Sequence, residues 1–412
     1  MANNSEQFDI KRSIHDISLD LWQSLNISEY PFLDYHFLTA LEDQHCIGEE
    51  SGWHPLYLVR RDRQAIIPCF IKEHSYGEYV FDWSWADAYH QHNLAYYPKL
   101  LWAAPFTPAT GPRLLMADTP KANDWQGALD AITQLATQHN LSGWHGNFLS
   151  NTACEQIPTA ENPTLSRRYG CQFHWFNRQY QDFDHYLSYF TSRKRKAVRK
   201  ERQRLWDADI ELQRHTGDEI SEADLTFFYH CYQLTYLKRR SQGYLNLAFF
   251  QQLRHTMSQQ MLLVIARHEG QPIAAALYFF DQSTLYGRYW GCQEELDGLH
   301  FEACYYQGIE FCIERGLQRF DPGTQGEHKI SRGFEPVLTN SLHWLAHPEF
   351  NRAVGQFVQE EHQQILAYQQ QAMERLPFRE HAFSSQPPKQ PQQSQKEPRK
   401  QTPSQPQETP ES

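Results

Sequence analysis

Short apolar runs alternate with charged turns along this chain, and two stretches repeat one pattern. PLYLVRRDRQAIIPCFIKEHSYGEYVFDW, Pro55 to Trp83, and MLLVIARHEGQPIAAALYFFDQSTLYGRYW, Met261 to Trp290, read alike. Each predicts an apolar strand, a charged tight turn, a second apolar strand, a polar turn and an aromatic strand ending in Trp. The two units lie roughly 205 residues apart, which fits two copies of one domain better than a short-period solenoid.

A helix follows each unit. Trp125, Leu129, Ile132 and Leu135 fall at helical spacing in Asp124–Asn140, and Phe301, Cys304, Gly308 and Cys312 share one face of His300–Arg315. Strands follow at Gly143–Leu149 and Arg319–Asp321. Alternating strands and helices predict an α/β fold with a mixed, partly parallel sheet. The expected halves are 1–165 and 166–383, with the boundary between Ser150 and Phe183 near the strand CQFHWFNRQY. A long polar helix is expected over His347–Leu376, with Phe350, Val354, Phe357 and Ile365 as a sparse apolar stripe. The Pro/Gln-rich tail 384–412 lacks large apolar residues and is expected to be disordered.

Length and composition narrow the picture. A chain of 412 residues favours two domains over one. No apolar stretch approaches the roughly 18 residues of a membrane span. MANNSEQFDIKR has no apolar core after its charges, so a cytoplasmic location is expected. The net charge of −11 argues against general binding to nucleic-acid phosphates. Eight cysteines form no C-x-x-C pair and read as reduced thiols. The 21 histidines show no H-E-x-x-H spacing, so no metal site is expected. The aromatic content of 14% suits clefts that hold polar ligands against flat rings.

Four stretches carry candidate chemistry. The loop PGTQGEHKISRG, Pro322–Gly333, leaves the carboxyl end of a strand, where open α/β sheets place ligands. Gly323, Gly326 and Gly333 permit tight turns around Glu327, His328, Lys329 and Arg332, unless these charges serve solvation alone. In TLYGRYW, Thr284–Trp290, strand alternation places Tyr286, Arg288 and Trp290 on one face and Leu285, Gly287 and Tyr289 on the other. Arg288 between rings suits an anionic or planar ligand, or marks a sheet edge beside an aromatic strand. At the next helix start, His300 and Glu302 are placed to reach a cleft, while Asp297 reads as a cap. Finally, SRKRKAVRKERQRLW, Ser192–Trp206, sets eight cations against the single acid Glu201. As a helix it puts Lys196, Arg199 and Lys200 on one face, for phosphate groups or simply for solvent.

FDPGTQGEHKISRGFEPV and TLYGRYWGCQEELDGLHFEACYYQGIEFCIERGL resemble a family of bacterial N-acyltransferases labelled peptidoglycan biosynthesis/recognition, related to Fem-type aminoacyl transferases within the GNAT superfamily. GPRLL at Gly111–Leu115, FHW at Phe173–Trp175 and the basic run share the resemblance, which spans about Ser13 to Leu376. It implies tandem GNAT-like domains and transfer of an acyl or aminoacyl group to an amine, with acyl-CoA or aminoacyl-tRNA as co-substrate. The acceptor would be a small-molecule or peptide amine, which the family label places in cell-wall precursor metabolism. CQEELDGLHFEA departs from the Arg/Gln-x-x-Gly-x-Gly/Ala loop of acetyl-CoA users, having only Gly298, which leaves the donor open. In the implied mechanism Glu327 or His328 is the base, and Tyr289 or Tyr305 protonates the leaving group. Backbone N–H groups near Gly291 and Gly326 serve the oxyanion. Arg288, Lys329 and Arg332, with Trp290, His300, Glu302, Lys196 and Arg199, hold donor or acceptor. The alternative is a binding module that recognises a peptidoglycan precursor without turnover.

Overall fold

The computed structural model describes residues 7–157, 162–324, 326–380 and 382. The tail expected to be disordered, 384–412, lies outside the described residues. The strands are β1 Phe8–Lys11, β2 Trp53–Arg60, β3 Ile66–Lys72, β4 Lys99–Trp102, β5 Gly143–Leu149 and β6 Ser166–Phe176, then β7 Ile210–Thr216, β8 Met261–His268, β9 Gln271–Phe280, β10 Thr284–Cys292, β11 Arg319–Asp321 and β12 Glu335–Leu345. They form one 12-stranded sheet in the order β1-β2-β3-β4-β5-β12-β6-β11-β10-β9-β8-β7.

Two adjacent pairs are parallel: β4 with β5, and β10 with β11. Each pair is joined through a helix, Ala122–Gln138 in the first half and a run from Leu299 to Arg315 in the second. The second run contains a π-turn at Glu302–Tyr306. The fold is therefore the mixed α/β sheet expected, with a parallel pair and crossover helix in each half. β12 lies between β5 and β6 and pairs antiparallel with both, so a strand late in the chain joins the two halves.

The repeat is incomplete in one respect. Met261–Trp290 gives three strands, β8, β9 and β10, as expected. In Pro55–Trp83 only β2 and β3 form; the aromatic third stretch is a loop, and Trp83 opens the helix Trp83–Gln91. Within that loop Ser75, Glu78 and Asp82 accept hydrogen bonds from the buried Lys99 ammonium, contacts that a strand at this position would not make. The third strand of this unit is β4 instead.

One hydrophobic core crosses from half to half, bringing Trp22, Phe37, Tyr57 and Phe70 together with Phe249, Phe250, Leu277 and Phe279. A second lies under the Leu299–Arg315 helix, and a third under Ala122–Gln138. The long helix Pro348–Glu374 forms as the periodicity predicts, and the basic run is the helix Ser192–Asp207. No described helix is long and apolar enough to cross a membrane.

Candidate active site

β10 and β11 run side by side over Thr284–Tyr286 and Arg319–Asp321, then separate. A Cβ on Gly287 would lie 3.2 Å from Pro322 Cα, so the chains touch closely just where they part. The register of β10 against β9 slips between Gly287 and Tyr289, a bulge that leaves Arg288 unpaired. This corrects the strict alternation read from the sequence. Tyr286, Arg288 and Tyr289 all turn to one side: Tyr286 meets Phe32, Arg288 lies over Phe32, and Tyr289 packs on Phe228, Tyr232 and Phe250. Trp290 alone turns to the other side, 5.4 Å from the His300 ring.

On that other side the loop after β11 forms a short helix, Glu327–Arg332. Gly326 precedes it with φ 111, and a Cβ there would lie 2.1 Å from His328 Cε1. Only glycine lets the imidazole fold back in this way. His328 Nε2 lies 2.8 Å from the Tyr305 hydroxyl, which the π-turn presents. The rings of His300 and His328 are 5.8 Å apart, with Phe301 and Tyr305 against both. Burial and the cations Arg332 and Lys329 push His328 down to about 4; burial, His328 and the same cations do so for His300. Both imidazoles are therefore neutral at pH 7.

Lys329 points inward beneath the loop and donates to the Gly323 carbonyl at 2.6 Å. Burial pulls its ammonium down to about 8, with Asp321 opposing the shift. Asp321 accepts from the Gly323 N–H through Oδ1, while its Oδ2, 3.5 Å from His174 Nε2, makes no hydrogen bond. Arg332 stacks 3.3 Å above the Phe301 ring and donates to the His328 carbonyl at 2.8 Å and to Glu201 at 2.6 Å.

The structure thus gathers His328, Tyr305, His300, Trp290, Gly326, Lys329 and Arg332. Other candidates lie elsewhere. Glu327 turns outward to Tyr368 and Arg375, which hold its carboxylate charged and away from the imidazole. Glu302 is 1% exposed and gives both oxygens to Arg202, a buried ion pair rather than a cleft residue. Tyr289 faces the aromatic core on the opposite side from His328. Arg288 donates to the Phe106 carbonyl across the junction between halves. Gly291 is needed for packing, because a Cβ there would lie 1.9 Å from the Cys231 carbonyl oxygen. Asp297 pairs with Arg204, and Gly298 occupies the cap position assigned to it. Lys196 and Arg199 face solvent on the basic helix, where Arg199 pairs with Asp184 beside a groove of about 520 Å³.

Residues that pattern reading missed are Asp321, His174, Phe301 and Glu201. Asp321 read only as a strand end, and Glu201 only as an exception within a basic run. Among the described residues no group of three His, Cys, Asp or Glu side chains is placed to hold a metal ion.

Comparison with solved structures shows the fold. FemX aligns with a TM-score of 0.52 at 12% identity, covering 85% of this chain and 99% of that one. The C-terminal domain of a protein named as a lysylphosphatidylglycerol synthetase of Agrobacterium fabrum aligns with a TM-score of 0.51 at 8% identity, over 82% and 94%. A conserved protein of Bacteroides thetaiotaomicron gives a TM-score of 0.51 at 13% identity, over 82% and 99%. No curated protein matches the sequence. The FemAB-like family model, described as peptidoglycan biosynthesis/recognition, matches residues 13–380, and with that span of the fold accounted for, the chain belongs to the FemAB-like family.

Proposed function

We propose that this chain is an N-acyltransferase that moves an acyl or aminoacyl group from an activated donor to an amine, at the fork where β10 and β11 separate. The observation that supports this most directly is a neutral imidazole, His328, bonded to the Tyr305 hydroxyl beside two cations. Attack by the amine forms a C–N bond and breaks the bond from the acyl carbon to its leaving heteroatom. The amine proton passes to the Tyr305–His328 pair, and the same pair returns a proton to the leaving group. Lys329, with its Nζ at the base of the fork, suits the developing oxyanion. Arg332 suits the anionic part of an acyl-CoA or aminoacyl-tRNA donor. A donor anion beside Arg332 and Lys329 would offset their charge and raise the basicity of His328 when it is needed.

The domain reading follows from this: a first half over 1–165, and a second over 166–383 that carries the chemistry. The test pairs calorimetric binding of acetyl-CoA, free CoA and aminoacyl-tRNA with a transfer assay on amine acceptors. His328→Ala is expected to lower turnover about 10²–10⁴-fold, while Glu327→Gln changes it little. A loss under tenfold in His328→Ala removes the base assignment. Saturable donor binding without any transfer points instead to a binding module.

A further inference from the structure

The basic run Ser192–Trp206 contains one acid, and it is not part of the cationic surface. Glu201 turns inward from Ser192–Asp207, with its side chain 24% exposed, and accepts from Arg332 Nη2 at 2.6 Å. It also accepts from the Tyr306 hydroxyl. Room for it exists because residue 298 is glycine; a Cβ there would lie 3.2 Å from Glu201 Cγ.

These contacts close a ring. Consecutive tyrosines of the π-turn bond different partners: Tyr305 bonds His328, and Tyr306 bonds Glu201. Arg332 links the two ends, giving one η nitrogen to the His328 carbonyl and the other to Glu201. A π-turn adds a residue to the helical turn and so re-aims the side chains on either side of it. The neighbouring residue Arg202 anchors the same helix to Glu302 and Glu310, at 2.7–2.8 Å. The basic helix is therefore pinned to the π-turn by two adjacent residues of opposite charge, and one of them reaches the His328 loop.

We propose that Glu201 is a positioning residue for His328, acting through Arg332. By holding the guanidinium between the basic helix and the His328 carbonyl, it fixes the loop Glu327–Arg332 and keeps the imidazole aimed at Tyr305. It also offsets the charge that Arg332 places beside that imidazole. The inference rests on the assignment of His328 as the proton-transfer group, but its test does not depend on turnover.

The experiment follows the His328 imidazole by nitrogen–proton NMR in the full chain, assigned with His328→Gln. At pH 7 the wild-type ring is expected in one tautomer. Glu201→Gln is expected to mix the tautomers, because the guanidinium and the loop it holds are no longer fixed, and to lower the titration midpoint, because Arg332 is left unpaired beside the ring. Arg332→Gln is expected to raise the midpoint, because a positive charge has gone. The double variant is expected to match Arg332→Gln alone, since Glu201 acts only through that residue. An unchanged tautomer and midpoint in Glu201→Gln overturns the proposal, as do effects of the two variants that simply add. Glu201→Asp keeps the charge but is one methylene short of Arg332, so it is expected to mix the tautomers as Glu201→Gln does, and full wild-type behaviour there overturns the positioning role. If transfer proves absent while the NMR pattern holds, the acyltransferase reading fails and the positioning stands.

Discussion

Lys99→Met is the perturbation whose consequences can be worked furthest. Lys99 is fully buried, and its ammonium bonds Ser75 at 2.8 Å, Glu78 at 2.9 Å and Asp82, so all three of its protons have acceptors. Glu78 is 4% exposed and Asp82 2% exposed. Removing the cation strands two carboxylates in a pit where the Tyr96 hydroxyl, 2.6 Å from Asp82, the Ser75 hydroxyl and the nearby Lys72 offset them in part. Breaking a buried pair from one side costs about 3–5 kcal/mol. Burial already raises Glu78 to about 7 in the intact protein, above its ordinary carboxyl value, so it takes up a proton readily as pH falls. Asp82 is the harder case: burial raises it, but Lys99 outweighs burial and holds it below the usual range. The loss should therefore approach about 5 kcal/mol near pH 8 and fall toward about 3 kcal/mol near pH 6. Urea unfolding followed by circular dichroism at both pH values measures it, with Lys99→Met/Glu78→Gln/Asp82→Asn expected to recover most of the loss. A loss under about 1 kcal/mol, no growth with pH, or no recovery in the triple variant would refute the reasoning.

Two further outcomes follow from buried groups. Burial lowers His145 to about 3 and His174 to about 4, below the ordinary imidazole value, so their contribution to stability is present above about pH 6.5 and lost as pH falls through those values. Denaturation midpoints at pH 7, 5 and 4 should fall steeply, and His145→Gln should flatten that slope; an unchanged slope counts against it. Arg202→Met should cost about 3–5 kcal/mol by stranding Glu302, and Arg202→Met/Glu302→Gln should regain much of it, read by the same unfolding curves.

What the sequence made legible was whatever depends on local periodicity. The strands Gly143–Leu149 and Arg319–Asp321 lie where apolar spacing puts them, and the charge run from Ser192 forms the helix considered for it. The loop rich in glycine and ionisable groups does bring His328, Lys329 and Arg332 together. What periodicity does not carry is partner choice across the chain. Glu327 and His328 are neighbours, yet Arg375 and Tyr368 take one outward while Tyr305 takes the other inward. Glu302 looked like a cleft residue because it opens a helix, and its actual partner is 100 residues earlier, at Arg202.

The bulge at Arg288 shows how one local irregularity separates roles that a regular strand would have merged. With strict alternation from Tyr286, Arg288 would keep its place beside Phe32, Trp290 would join it there, and Tyr289 would face His300 instead. The slip between Gly287 and Tyr289 reverses Tyr289, so that it joins Arg288 on the side of Phe32, Phe106 and the aromatic core that spans both halves. Trp290 alone stays with His300. Arg288, on the far side, ties the N-terminal half to the fork through the Phe106 carbonyl, and the reversal after it brings Trp290 rather than Tyr289 against His300, beside His328 and its two neighbouring cations.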